Sequence, residues 1–250
     1  MRYMAGKSRF AAEMAKAILA HTPRRLEYFE PFVGGGSVLE EMSRNFAYTY
    51  ASDTHKDLIL MWQALLDGWE PPRDVSREEF KWLEKQPSSA LRGFVGFSCS
   101  FAGKWFGPYA RFVKPGGVLQ NFADESARNL EHCMSVLRNC KFERRSYDTI
   151  LYTPLSVIYA DPPYAGTYSY SAFDSEKFWD WARNAVKVGA HVYVSEFVAP
   201  EDWVPIWSIK RIKRFRALLP TQKRETFTEC LYVHESQKAP HQHDRPSVIF

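Results

Sequence analysis

Residues 24–53 constrain the fold more than any other stretch of the chain. A short β-like run over 24–29 enters Pro31-Phe32-Val33-Gly34-Gly35-Gly36-Ser37, a helical stretch runs from 37 to 46, and a second β-like run over 48–52 closes on Asp53. Strand, glycine turn, helix and strand make a βαβ unit, and such units build parallel sheets. Upstream, Met14, Ala17 and Ile18 recur at helical spacing and predict a helix over 13–19.

The same unit carries a ligand signal. Asp53 lies 17 residues after Gly36, near the ~20 expected of an acid that reaches a ribose hydroxyl. Leu39 and Glu40 stand where the third glycine of a GxGxxG string would be sought, so the pattern fits a nucleoside better than a dinucleotide. Phe32, Gly34, Gly36 and Asp53 are therefore candidate cofactor-binding residues, although a glycine cluster also forms ordinary tight turns.

The parallel-sheet pattern resumes at Ser156-Val157-Ile158-Tyr159-Ala160, an apolar run that ends in Asp161-Pro162-Pro163-Tyr164. A helix over 177–187 and a strand over 191–197 follow, and β-like runs over 206–215 and 227–234 predict an antiparallel hairpin at the sheet edge. Between the two halves, residues 56–141 change character: helical stretches over 58–66, 78–84 and 125–137 surround an irregular, glycine- and aromatic-rich centre at 93–117. The expected fold is α/β, a Rossmann-like and mostly parallel sheet with a C-terminal antiparallel hairpin plus a helical and irregular insertion. Residues 1–55 and 146–235 are assigned to the sheet domain, 56–145 to the insertion and 236–250 to a polar, proline-bearing tail.

The ligand crevice of an open α/β sheet lies at the carboxyl ends of its strands, which is where Asp161-Pro162-Pro163-Tyr164 falls. An exocyclic adenine amine is a poor nucleophile because its lone pair is delocalised into the ring. A catalyst must accept hydrogen bonds from its N–H groups and pull the nitrogen toward tetrahedral geometry. The Asp161 carboxylate and the Pro162 carbonyl are two such acceptors. Consecutive prolines fix φ and present no competing donor, and Tyr164 offers a face for an extruded base. An Asp-Pro turn with Tyr164 as a core-edge aromatic is the plainer alternative.

Glu30-Pro31-Phe32-Val33-Gly34-Gly35-Gly36-Ser37, then Asp161-Pro162-Pro163-Tyr164, together with Tyr3-Met4-Ala5-Gly6-Lys7, resemble the Dam family of DNA adenine-N6 methyltransferases, the D12 class with alpha motif order. The resemblance covers most of the chain. It implies a class I methyltransferase sheet, S-adenosylmethionine (AdoMet) as methyl donor, double-stranded DNA as partner, N6 of a flipped adenine as acceptor, and target recognition by the segment between the motifs. It also implies that Tyr3 and Lys7 lie beside the cofactor, that Asp53 binds its ribose, and that Asp161 touches both cofactor and target amine. Ser146-Tyr147 is similar to the family's motif near the cofactor adenine, which adds Tyr147. No metal is required, since the sulfonium donor is intrinsically reactive and needs chiefly positioning. Two departures stand out: Ala5-Gly6-Lys7 replaces Gly-Gly-Lys, and Asp53-Thr54-His55 replaces Asp-x-Asn. They bear on the amino-terminal lid and on whatever an amide at 55 would contact; His55 reads as a polar loop residue rather than a ligand.

The chain has 33 Lys and Arg against 29 Asp and Glu, a net +4 that permits a polyanionic partner without identifying one. Distribution is more telling. Lys210, Arg211, Lys213, Arg214 and Arg216, with Lys223 and Arg224 beyond, form a stretch without acids between Asp202 and Glu225. Interleaved with Ile209, Ile212 and Phe215, it suits a strand with a phosphate-facing row, or equally a solvated edge strand guarded by charge. In the insertion, residues 100–111 combine glycines, aromatics, Lys104 and Arg111. They read either as a loop entering a groove, with Lys104, Arg111 and Lys114 as DNA contacts, or as insertion core. Cys99, Cys133, Cys140 and Cys230 show no metal-ligand spacing and read as reduced structural thiols. No apolar run is long enough to span a bilayer, no signal peptide opens the chain, and nothing calls for a protein partner, so a cytoplasmic location is expected. The remaining readings are a DNA-binding regulator of the same fold with little catalysis, or a methyltransferase acting on amino groups of RNA or protein.

Overall fold

The computed structural model describes residues 3, 6–22, 26–163, 173–212 and 226–238. Its strands form a seven-stranded sheet in the order β3-β2-β1-β4-β5-β7-β6, with β1 Glu27–Glu30, β2 Tyr48–Asp53, β3 Cys140–Arg144, β4 Ser156–Ala160, β5 His191–Glu196, β6 Trp203–Ile212 and β7 Thr226–His234. The pairs β1/β4, β2/β3 and β4/β5 are parallel, whereas β7 runs antiparallel to both β5 and β6. This is a Rossmann-like, mostly parallel sheet with the expected C-terminal antiparallel hairpin. A register shift between Pro205 and Trp207 bends β6, as expected where a proline cannot donate to the ladder.

The chain divides into two compact units. One comprises residues 1–12 and 30–150, the other 13–29 and 151–250.

In the first unit, β2 pairs with β3 from Thr49↔Cys140 to Asp53↔Arg144. After α1 (Ala11–His21) and α2 (Ser37–Met42), four helices follow in this unit: α3 (Lys56–Leu66), α4 (Arg77–Leu83), α5 (Ala90–Ser98) and α6 (Phe122–Leu137). Their starts are capped by side chains, with Ser76, Ser89 and Asn121 accepting the amides of Glu79, Arg92 and Asp124. The expectation of an irregular stretch beginning at 93 needs correction, because residues 93–98 belong to α5. Its glycines serve packing rather than turning: a Cβ on Gly93 would sit 2.1 Å from the Asp57 carbonyl oxygen, and one on Gly96 2.4 Å from the Trp105 ring. α5 therefore approaches α3 at backbone distance. The contact is locked by Arg92, whose guanidinium pairs with buried Asp57 at 2.9 Å and donates to the Leu83 and Glu84 carbonyls.

In the second unit, every residue of β4 and β5 is buried, which explains their near-continuous apolar runs. Register pairs run from Val157↔His191 to Ala160↔Val194, and Tyr159 and Ser195 share a buried hydrogen bond of 2.9 Å. The helix α7 (Ser175–Val188) begins at Asp174, which accepts the Lys177 amide, and ends at Gly189 with φ 103°, the left-handed cap that favours glycine. It buries Phe178, Trp179, Trp181, Ala182 and Ala185. The first residues of the assigned tail are held down: buried Gln237 donates to the Ala190 carbonyl and accepts from the Val192 amide. Positions 239–250 lie outside the described residues.

Candidate active site

β2 delivers Asp53 to its own carboxyl end, as its sequence led us to expect. One carboxylate oxygen accepts the His55 amide at 2.9 Å and the other accepts the Gly34 amide at 3.3 Å. The glycine turn is thus fastened to the acid. Gly34 and Gly36 take positive φ (45° and 69°); a Cβ on Gly34 would lie 2.7 Å from the Tyr3 ring, and one on Gly36 3.0 Å from the Trp62 ring. Trp62 Nε1 donates to the Gly34 carbonyl at 3.2 Å, fixing the turn from beneath. Burial pushes the Asp53 carboxyl above its ordinary range, against the opposing pull of the backbone amides. A carboxylate offers about four acceptor positions, which the His55, Gly34 and Thr54 amides do not exhaust, so the group suits hydroxyl donors such as those of a ribose.

Tyr3 lies over Gly34 and touches the Phe97 ring (centroids 4.8 Å apart). Lys7 is buried at 3% exposure. Phe32 is half-buried, 5.4 Å from the ring of Tyr147 and inclined at 30°. The structure therefore gathers Tyr3, Phe32, Gly34, Gly36, Asp53 and Tyr147 within one unit. His55, read from sequence as a loop residue, is the N-cap of α3: its Nδ1 accepts the Leu58 amide at 3.3 Å. A short polar side chain such as asparagine performs the same task, so the Asp53-Thr54-His55 departure preserves a cap.

At the carboxyl end of fully buried β4, Asp161 is partly exposed, Pro162 buried and Pro163 partly exposed. β4 lies between β1 and β5, so Asp161 follows the strand where the connection order reverses, the place where open α/β sheets hold ligands. Tyr164 lies outside the described residues.

Residues 3–91 match the family model of D12 class N6 adenine-specific DNA methyltransferases. That segment contains Tyr3, Lys7, the glycine turn and Asp53. No curated protein sequence matches the chain. Among solved structures, the 23S rRNA methyltransferase ErmE is similar at 10% identity and a TM-score of 0.42, covering 93% of this chain and 70% of that one. An rRNA methylase from Streptococcus thermophilus aligns at 7% identity and a TM-score of 0.40, covering 92% and 99%. The precorrin-6y C5,15-methyltransferase from Geobacter metallireducens aligns at 10% identity and a TM-score of 0.40, covering 88% and 87%.

Lys104 and Arg111 are exposed in the first unit, and Lys114 pairs with Glu125 at 3.2 Å. Arg111 lines a cleft of about 750 Å³ together with Arg77, Phe80, Lys81 and Tyr109. Lys213, Lys223 and Arg224 lie outside the described residues, while Lys210 is exposed on β6. Sequence reasoning weighed charges and missed an apolar feature: Val113 and Leu119 bridge a short antiparallel turn, and Phe112, Val113, Val118 and Leu119 are all exposed. Two pairs of large apolar residues, Phe112-Val113 and Val118-Leu119, on either side of Lys114-Pro115-Gly116-Gly117 were the available signal. Among the described residues, no cluster of three His, Cys, Asp or Glu could hold a metal ion, and no helix is long and apolar enough to cross a membrane.

Proposed function

We propose that this protein transfers a methyl group from AdoMet to N6 of an adenine flipped out of duplex DNA. The observation that carries the proposal is Asp161-Pro162-Pro163 at the carboxyl end of buried β4, joined to a family match that contains the glycine turn and Asp53. When bound, AdoMet supplies an electrophilic methyl group on a sulfonium. The chain supplies the rest. Asp53 accepts the ribose hydroxyls, and Tyr3 with Phe32 provides apolar faces beside the glycine turn. Asp161 and the Pro162 carbonyl accept the two N–H groups of the target amine, concentrating electron density on the nitrogen as the N–C bond forms and the S–C bond breaks. The amine proton released in that step passes toward the Asp161 carboxylate or to water.

In this reading, residues 56–145 recognise the target and donate Lys104 and Arg111 to phosphates or bases. The exposed apolar turn around Gly116 and Gly117 is surface that a DNA groove would cover. Lys213, Lys223 and Arg224 add phosphate contacts, and binding should weaken steeply with salt. Asp161→Ala tests the assignment: methyl transfer to DNA is lost, by about a hundredfold or more, while duplex binding measured by fluorescence anisotropy stays within a few-fold. Equal turnover by the variant would overturn the role of Asp161. A wild-type chain that binds DNA without binding AdoMet by calorimetry would identify a regulator instead.

A further inference from the structure

The loop that leaves α5 is strained and has a specific destination. Ala102 and Phe106 both take positive φ (55° and 37°) without being glycine, a conformation that persists only where the surroundings over-determine it. Between them, Gly103 presses on the amino-terminal segment: a Cβ there would stand 2.8 Å from the N, Cα and C atoms of Tyr3. Trp105 then folds back against Gly96 of α5. Its ring meets the His55 ring edge-on with centroids 4.3 Å apart, and the Phe97 ring at 4.8 Å. Phe97 in turn touches both His55 and Tyr3, at 5.0 and 4.8 Å. The Arg92 guanidinium lies 5.0 Å over the Trp105 ring, itself fixed by Asp57.

His55 is the link to the acid. Its backbone amide donates to Asp53 Oδ1, and its ring caps the helix that begins at the next residue. Displacing that ring would free the amide that orients the carboxylate. We propose that Trp105, a residue of the recognition insertion, is a positioning residue for the AdoMet site: it holds His55, and through it Asp53, while the neighbouring Gly103 holds Tyr3 over the glycine turn. The proposal rests on the AdoMet reading above for its ligand. It joins the segment assigned to target recognition with the cofactor pocket through a short chain of contacts, so that the donor site is complete only when this loop is seated.

The test uses the full chain and two readouts. In calorimetry, Trp105→Ala binds AdoMet at least tenfold more weakly than wild type, and Trp105→Phe, which keeps an aromatic face, stays within about threefold. In steady-state assays on duplex DNA, the alanine variant raises KM for AdoMet with kcat within about twofold. In cofactor-free protein, hydrogen exchange at the His55 and Leu58 amides is at least tenfold faster in Trp105→Ala, with the α7 amides unchanged. If the alanine variant does not unfold cooperatively, Trp105→Leu carries the same expectations. AdoMet affinity within twofold of wild type in the truncated variant, or unchanged exchange at His55, overturns the proposal. A wild type that binds no AdoMet overturns the functional reading and the ligand assigned here, while the exchange experiment still decides whether Trp105 holds His55.

Discussion

The carboxylate of Asp53 holds the backbone amide of Gly34 at 3.3 Å across 19 residues of sequence, so the acid at the end of β2 and the glycine turn after β1 form one rigid feature. Asp53→Asn replaces an acceptor facing that amide with a competing donor and removes the charge. Hydrogen bonds to charged groups contribute about 1.5–3 kcal/mol, so AdoMet affinity should fall roughly tenfold to hundredfold in calorimetry. Burial raises the Asp53 pKa above its ordinary value, and in the proposed site the ribose hydroxyls would be bound by the ionised form. Affinity therefore declines as pH falls through that raised value and recovers above it.

Burial lowers the pKa of His55 below 6.5, and its Nδ1 is an acceptor of the Leu58 amide, so the folded protein holds it neutral. The unfolded chain takes up the proton first as pH falls. Stability is then complete above pH 6.5 and declines from there toward the lower folded pKa. His55→Asn, which retains a cap, should flatten that part of the profile in urea melts recorded from pH 7.5 to 5.

Gly93→Ala should destabilise the chain by about 1–3 kcal/mol or more, the cost of overpacking, because the obstacle is the backbone carbonyl of Asp57 rather than a movable side chain. Gly68 has φ 87° and open space around it. Its alanine variant bears only the left-handed backbone cost, about 1–2 kcal/mol. Denaturant midpoints of the two variants give the comparison.

Asp57→Ala leaves Arg92 without its carboxylate and the Ser89 amide without its acceptor. Breaking a buried pair by removing one partner costs about 3–5 kcal/mol. Arg92 keeps some solvent exposure, so the lower end is expected. Asp57→Asn, which still accepts from Ser89, should recover part of the loss.

Much of this was legible because periodicity and turn chemistry agreed. The stretch 48–53 ended on Asp53 as read, and the runs at 156–160 and 191–197 were apolar because both faces of β4 and β5 are buried. Two elements escaped. β3 is a five-residue strand whose Lys141, Glu143 and Arg144 mask any apolar run. α5 carries glycines that a one-dimensional reading assigns to turns, whereas their purpose is close approach to Asp57 and Trp105. His55 does lie outside the helix, as read, but its capping bond and ring contacts depend on α3 and on a loop fifty residues away, which no local pattern encodes.

The central claim is chemical, and nucleoside analysis tests it most directly. Incubated with tritiated AdoMet and mixed-sequence duplex DNA, the wild-type protein should place label on N6 of adenine, with labelling abolished in Asp161→Ala. Label recovered on cytosine, or on RNA alone, would contradict the account.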